Sequence, residues 1–147
     1  HRKMKSDNYL DVFDSKQKSI DHATWLNFKY RIAKIKFGVI HGPDNNWAVL
    51  EEATAEEMEI PFLDILPKDY SEMTYDDIRH IRMDEDALPF WSAITGMFSV
   101  ADGEILRFIL HTRIPLEKLI RDELAGRGYD ENHRWCGFDK ASEIWLK

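Results

Sequence analysis

A histidine and the only cysteine of the chain lie three positions apart near its end, as His133 and Cys136. At this spacing an imidazole and a thiolate can bind one metal ion from a single turn, and zinc accepts both ligand types. Further ligands would have to come from distant histidines, namely His41, His80 and His111. Because this spacing is not diagnostic of any metal site, His133 and Cys136 are candidate ligands only, and we expect no metal and no cofactor.

The same pair has the residue types of a cysteine nucleophile and its base. A reactive thiolate needs electropositive surroundings, whereas the neighbouring residues Asp130 and Glu131 are acidic. We therefore favour a structural role, in which Trp135 packs a glycine-flanked turn and Cys136 is buried as a small apolar side chain. The sequence contains no glycine-rich phosphate loop, HExxH motif or serine-hydrolase signature, so no enzyme class is indicated.

A cluster of acids in the middle of the chain is the second candidate site, and it consists of Asp76, Asp77, Asp84, Glu85 and Asp86. Carboxylates at this density can hold a hard cation or supply an acid and a base, although their spacing does not match a calcium-binding loop. Two other interpretations are open. The acids can stabilise helix starts, or they can form a recognition surface for a basic partner.

Aromatic residues indicate a third candidate site. We expect a pocket between a sheet and the helical half of the chain, because apolar cavities with a few polar groups are the usual sites for small ligands. Its expected lining is Trp25, Phe37, Trp47, Phe90 and Trp91, with His41, His80 or His111 as polar groups. On a protein surface, Trp91 or Trp135 would instead supply the apolar contact to a partner.

The charge balance argues against nucleic-acid binding. The formal net charge is −7, from 27 acidic and 20 basic residues, whereas binding to a phosphate backbone depends on lysine and arginine. A basic stripe is present at Lys29, Arg31, Lys34 and Lys36. The alternation directs the neighbouring aromatic side chains to the opposite face, so they are not placed to stack on bases beside this stripe. An acidic chain favours a basic protein partner.

Two strands are predicted in the first half of the chain. Residues 1–22 are polar with one short apolar cluster, and we expect them to form a loosely attached arm. Alternation from Leu26 to Val39, with a slip of phase near residue 32, predicts a long bent strand with a bulge. An amphipathic helix through Trp25 and Phe28 is the alternative. The turn sequence HGPDNN and the segment WAVLEE predict an antiparallel hairpin.

The second half of the chain is predicted to be helical. Thr74 and Asp77 match a helix cap, and apolar residues at helical spacing follow Pro115. Ala141 and Trp145 indicate a further helix at the C-terminus. Together the segments predict an α+β fold in which the N-terminal hairpin packs against a mainly helical C-terminal half, as a single domain over residues 1–147.

Composition bears on the setting of the protein. A single cysteine excludes an intramolecular disulfide and is typical of a reducing compartment. No apolar run approaches the roughly 18 residues that a membrane span requires. We therefore expect a soluble, cytoplasmic protein without a membrane partner. Long exposed strand edges are compatible with a homodimer.

The closing segment ELAGRGYDENHRWCGFDKASEIW resembles small bacterial accessory proteins of uncharacterised function, the kind found in mobile gene cassettes or beside toxins as immunity partners. The resemblance covers the last third of the chain and transfers no functional residue. It implies a binding protein. The first functional hypothesis is accordingly a non-enzymatic acidic module that binds a basic protein, with an immunity or inhibitor protein as the implied class. The second is a small-molecule or metal-binding accessory protein.

Overall fold

Four short antiparallel strands form the sheet of the N-terminal part of the chain. The computed structural model describes residues 2–4 and 10–147, and its strands are β1 (Arg2–Met4), β2 (Leu10–Phe13), β3 (Phe37–His41) and β4 (Trp47–Glu51). Their order in the sheet is β1-β2-β4-β3, so β4 lies between β2 and β3. Val39 faces Val49 in one pair and Val12 faces Ala48 in the other.

The connection between β3 and β4 is a tight turn. A 3-10 turn over Pro43–Asn45 closes it, and the Gly42 backbone amide donates to the Asn46 carbonyl at 2.8 Å. Asp44 and Asn45 have positive φ values of 56° and 61°, which aspartate and asparagine tolerate better than other side chains. The reversal lies where the turn residues of the sequence predict it.

Helix α1 (Lys16–Lys29) packs on one face of the sheet. Ser15 caps its N-terminus, since the Ser15 hydroxyl accepts a hydrogen bond from the Lys18 amide at 3.2 Å. The core on this face comprises Phe13, Ala23, Leu26, Phe37, Val39, Val49 and Leu88. Val12, Ile40, Ala48, Leu50 and Ala55 form a second core cluster, and the alternation along β4 separates the two sets.

The predicted long bent strand is wrong, because residues 25–29 belong to α1. The alternation that suggested a strand begins inside a helix whose buried face is carried by Ile20, Ala23 and Leu26 at helical spacing. The predicted arm is also wrong for the described residues from 10 onward. Leu10–Phe13 is strand β2, which pairs with β4, and Val12 and Phe13 are buried. Residues 1 and 5–9 lie outside the described part of the chain.

Three more helices follow in residues 52–99: α2 (Glu52–Glu57), α3 (Tyr75–Met83) and α4 (Pro89–Ser99). Helix α3 begins with the predicted cap, since the Thr74 hydroxyl accepts from the Asp77 amide and the Asp77 carboxylate accepts from the Thr74 amide. The irregular segment before it, residues 58–74, contains Leu63, whose amide donates to the Val39 carbonyl at 2.8 Å.

The chain divides into two compact units, residues 1–98 and residues 99–147. The second unit contains α5 (Gly103–Thr112), α6 (Leu116–Arg127) and α7 (Phe138–Trp145), which confirms the helices predicted after Pro115 and at the C-terminus. Gly128 caps the C-terminus of α6, has a φ of 77° and lies beneath the Trp135 ring. The mixed α+β class is confirmed, and the single domain over residues 1–147 stays a prediction.

Candidate ligand-binding cleft

The first unit contains a cleft with a volume of about 860 Å³. It is lined by residues of the N-terminal half of α1, the loop before α3, α3 itself, the segment between α3 and α4, and the first turn of α4. A cleft of this size is within the usual range for sites that bind small ligands or side chains of a partner.

Asp21 is the most buried charged residue of the lining, with 4 % of its surface exposed. Its Oδ1 atom accepts hydrogen bonds from Gln17 Nε2 at 2.9 Å and from the Tyr70 hydroxyl at 2.8 Å. Its Oδ2 atom accepts from Trp91 Nε1 at 3.1 Å. All three donors are neutral, and no basic side chain of the described residues forms an ion pair with Asp21.

Tyr70 is held in this network by its ring as well as its hydroxyl. The Tyr70 and Trp91 rings meet edge to face with centroids 5.5 Å apart. Burial raises the pKa of Tyr70 well above its ordinary value, and the negative charge of Asp21 raises it further. Tyr70 is therefore a neutral hydrogen-bond donor throughout the physiological range.

Four more carboxylates line the cleft, at Asp69, Glu72, Asp77 and Asp84, against two basic residues, Lys18 and Arg79. Hydrogen bonds from Ser71 lower the pKa of Asp69, and hydrogen bonds from Thr74 lower the pKa of Asp77. A hydrogen bond from Lys18 lowers the pKa of Asp84. These three groups are anionic at neutral pH, so the lining carries an excess of negative charge.

The remaining lining is mostly apolar: Pro67, Met73, Ile81, Met83, Ala87, Leu88 and Trp91. Leu88 is buried and belongs to the core, whereas Met83 is 73 % exposed. Flexible methionines adapt to the shape of a ligand. The cleft thus combines an apolar surface with anionic groups, which suits a ligand that has an aliphatic body and a positive charge.

The structure brings part of the predicted acidic surface to this cleft. Asp77, Asp84 and Trp91 line it. Asp76 is exposed and forms an ion pair with Arg79 at 2.8 Å. Asp86 does not line the cleft, but its backbone carbonyl accepts a hydrogen bond from Lys18 Nζ, a lining residue, at 2.6 Å. Glu85 is exposed, and Trp135 belongs to the second unit.

The residues of the predicted aromatic pocket have other positions. Phe37 is buried in the core, Trp47 and Phe90 pack against it, and Trp25 stacks on Phe90 with centroids 5.1 Å apart. None of these four residues lines the cleft. Of the expected polar groups, His80 lines the cleft, His41 is exposed at the end of β3, and His111 lies in α5 of the second unit.

His133 and Cys136 belong to a loop of the second unit. The His133 ring stacks on Tyr129 with centroids 5.0 Å apart. Cys136 is partly buried, and desolvation followed by the charge of Asp130 raises the pKa of its thiol. A raised pKa disfavours a thiolate nucleophile. Within the described residues, no group of three or more histidine, cysteine or acidic side chains is arranged to hold a metal ion.

Sequence reasoning missed Asp21 and Tyr70, which organise the cleft. Asp21 fell within the predicted arm, and its only local signal is Gln17, one helical turn earlier. Its other two partners are 49 and 70 residues away along the chain. Contacts at such separations leave no periodic pattern in a single sequence.

A second buried carboxylate lies elsewhere in the first unit. Asp11 of β2 is fully buried, and its Oδ2 atom lies 2.6 Å from His22 Nε2 of α1. The His22 ring also packs against Phe13, with centroids 5.2 Å apart. Neither Asp11 nor His22 lines the cleft, and we assign this pair to the packing of α1 on the sheet.

Comparisons of the chain with protein-family models, curated proteins and solved structures find no match. No helix in the part of the chain that the structure describes is both long and apolar enough to cross a membrane.

Proposed function

We propose that this protein is a non-enzymatic binding module that receives a lysine side chain of a basic partner protein in the cleft. The proposal rests on the Asp21 carboxylate, which lines the cleft while 4 % exposed and whose hydrogen-bond donors among the described residues are all neutral. An inhibitor or immunity protein that masks a basic surface is the class of function that this arrangement fits.

The state of Asp21 favours a cationic ligand. Removing a carboxylate from water is costly, and neutral hydrogen bonds compensate for only part of that cost. A ligand ammonium group near Asp21 would supply the missing countercharge in a setting where water screens it poorly. Such a charge-assisted contact is stronger than one between neutral groups.

The apolar part of the lining favours a long aliphatic stem behind the charge. The methylene groups of lysine commonly lie along apolar surfaces while the ammonium group reaches a polar partner. Met73, Leu88 and Trp91 offer that surface here. The indole face of Trp91 would add a cation–π contact if the ammonium group lies above it.

The remaining carboxylates support encounter with a basic protein. Asp69 and Asp77 are exposed, ionised residues of the lining, and the chain as a whole carries a formal charge of −7. Complementary charge of this kind accelerates association and discriminates against acidic partners.

A small organic cation is the second candidate ligand. The volume of about 860 Å³ favours it, since a cavity of this size can enclose a free amine of moderate length. A lysine side chain and an alkylamine present the same chemistry, so the test must compare them directly.

The test is isothermal titration calorimetry of wild type and Asp21→Asn with an acetylated pentapeptide that contains lysine between two leucines. We expect the variant to bind at least about tenfold more weakly, because loss of one buried charged partner costs about 2–5 kcal/mol and 1.4 kcal/mol is tenfold. The matched control is Asp14→Asn, which removes an exposed acid that does not line the cleft.

Four outcomes would argue against the proposal. Equal weakening by Asp14→Asn and Asp21→Asn would show a general charge effect, and unchanged affinity in Asp21→Asn would exclude the cleft. Binding of a peptide with norleucine in place of lysine would show that the positive charge is not required. Tighter binding of hexylamine than of the lysine peptide would favour the small-molecule function.

A further inference from the structure

Lys18 occupies a defined position at the cleft. Its Nζ atom lies 2.8 Å from Asp84 Oδ2 and 2.6 Å from the Asp86 carbonyl oxygen. Lys18 precedes Asp21 by three residues in α1, so both side chains project from the same side of the helix and both line the cleft. An ammonium group of the chain itself therefore lies at the anionic surface that we propose for a partner.

The two oxygen atoms that accept hydrogen bonds from Lys18 are positioned by a contact that does not involve Lys18. The Asp86 amide donates to Asp84 Oδ1 at 2.9 Å, which orients the carboxylate and leaves its Oδ2 atom for Lys18. One carboxylate oxygen and one carbonyl oxygen are then directed at a single point. Two oxygen acceptors of this kind match an ammonium group, which has three donors.

Lys18 is also able to leave this position. Its side chain is 24 % exposed and that of Asp84 is 27 % exposed, so solvent reaches both partners. Ion pairs in such settings are weak, and lysine regains rotamer freedom when it is released. An ammonium group of a ligand that is already held at Asp21 can compete for the same two oxygen atoms.

We infer that Asp84 and the Asp86 carbonyl form a second ammonium site in the cleft, which Lys18 fills in the free protein and a second basic side chain of the partner takes on binding. This inference rests on the proposed function, and it specifies a partner segment with two lysines. Lys18 then lowers the affinity for such segments. If it fills the site in about nine molecules of ten, the apparent affinity falls about tenfold.

The experiment measures two sets of peptides by calorimetry against wild type and Lys18→Gln. One set has a single lysine, and the other has a second lysine one to four positions after the first. For the two-lysine peptide that wild type binds best, we expect Lys18→Gln to increase the affinity about tenfold. The matched control is Lys16→Gln, which removes the charge of an exposed lysine of α1 that does not line the cleft.

Two further variants separate the second site from a structural role of Lys18. Addition of Asp84→Asn to Lys18→Gln should remove the gain, because one acceptor is lost. Lys18→Arg retains a cation and should behave as wild type. Melting temperatures measured in parallel identify any variant that has lost its fold. If only Lys18→Gln fails to fold, wild type, Lys18→Arg and Asp84→Asn are still compared. In that comparison Asp84→Asn must weaken the binding of two-lysine peptides and leave that of one-lysine peptides unchanged.

The outcomes distinguish this inference from the proposed function. An equal gain in Lys16→Gln and Lys18→Gln, or an equal gain for one-lysine and two-lysine peptides, would overturn the second site alone. Binding of the one-lysine peptide that depends on Asp21 would still support the proposed function in that case. Absence of binding in wild type and every variant would overturn both.

Discussion

Asp21 and Tyr70 are the residues on which the chemistry of the cleft depends. The carboxylate is almost fully buried, and the hydroxyl that donates to it at 2.8 Å comes from a loop 49 residues later. Since the other donors are an amide and an indole, the charge of Asp21 is stabilised but not neutralised. A buried carboxylate that has only neutral hydrogen-bond donors attracts a cationic ligand.

Removal of the Tyr70 hydroxyl has a predicted dependence on pH. At pH 7 we expect Tyr70→Phe to lower the free energy of unfolding by about 1.5–3 kcal/mol, the usual contribution of a hydrogen bond to a charged group. The pKa of Tyr70 is raised in the folded state, so its contribution is complete below the unfolded value of about 10 and is lost as the pH rises towards the folded value.

Urea unfolding at pH 7 and pH 11 tests this prediction. Wild type should lose more stability than Tyr70→Phe between the two pH values, so the difference between the proteins should narrow at pH 11. Parallel losses in both proteins would show that the Tyr70 hydroxyl is not protected from ionisation in the folded state.

At the scale of elements, the edge strand β3 is constrained by the segment that covers it. A Cβ atom at Gly38 would lie 2.4 Å from the Phe62 ring, and the Leu63 amide donates to the Val39 carbonyl at 2.8 Å. The segment therefore lies directly against the strand, and only glycine at position 38 permits this approach.

Substitution of Gly38 by alanine should destabilise the first unit by about 1–3 kcal/mol, since the Phe62 ring must move within a packed cluster. Gly96→Ala is the matched control, because Gly96 lies in α4 with no atom within 4 Å of an added Cβ. The control should leave stability unchanged or raise it by up to about 1 kcal/mol. Equal effects of both substitutions in urea unfolding would contradict the close approach of Phe62.

Short elements with a local signal were predictable from the sequence. The Thr74–Asp77 cap depends on hydrogen bonds within four residues, and α6 repeats its apolar positions over three turns, so both predictions are confirmed. Over residues 25–29 a helix was only the alternative to the predicted strand, because the buried face of α1 uses the small residues Ser19 and Ala23, while the exposed Phe28 falls into an alternating pattern. The tertiary contacts of α1 favour the helix over the strand that the local pattern also allows.

Only the wall of the cleft that contains the cluster of acidic residues was predictable from the sequence. Asp77 and Asp84 belong to the acidic segment and Trp91 follows it closely, so composition located one wall. The opposite wall comes from α1, whose Lys18 and Asp21 are about 70 residues away along the chain. Long-range pairing of this kind depends on the fold as a whole, which a single sequence does not reveal.

At the scale of the whole molecule, the net charge of −7 should govern how fast and how selectively a basic partner binds. We expect the affinity for the lysine peptide to fall about tenfold between 0.05 M and 0.5 M sodium chloride, since salt at the higher concentration screens exposed charges within a few ångströms. Calorimetric titrations at four salt concentrations measure this slope. An affinity that does not change with salt would show that the exposed carboxylates of the lining do not contribute to binding.

The most direct test of the account is a ¹H–¹⁵N NMR titration with the lysine peptide, observed at the five tryptophan indole signals. The Trp91 indole donates to Asp21, so a cation at the cleft must change its environment. We predict a large, saturable shift of the Trp91 indole signal and a smaller shift of the Gln17 side-chain amide signal. In Asp21→Asn, addition of the peptide should shift neither signal. Saturable binding that leaves the Trp91 signal in place, or that shifts only Trp135 in the second unit, would contradict the proposal that the Asp21 cleft is the binding site.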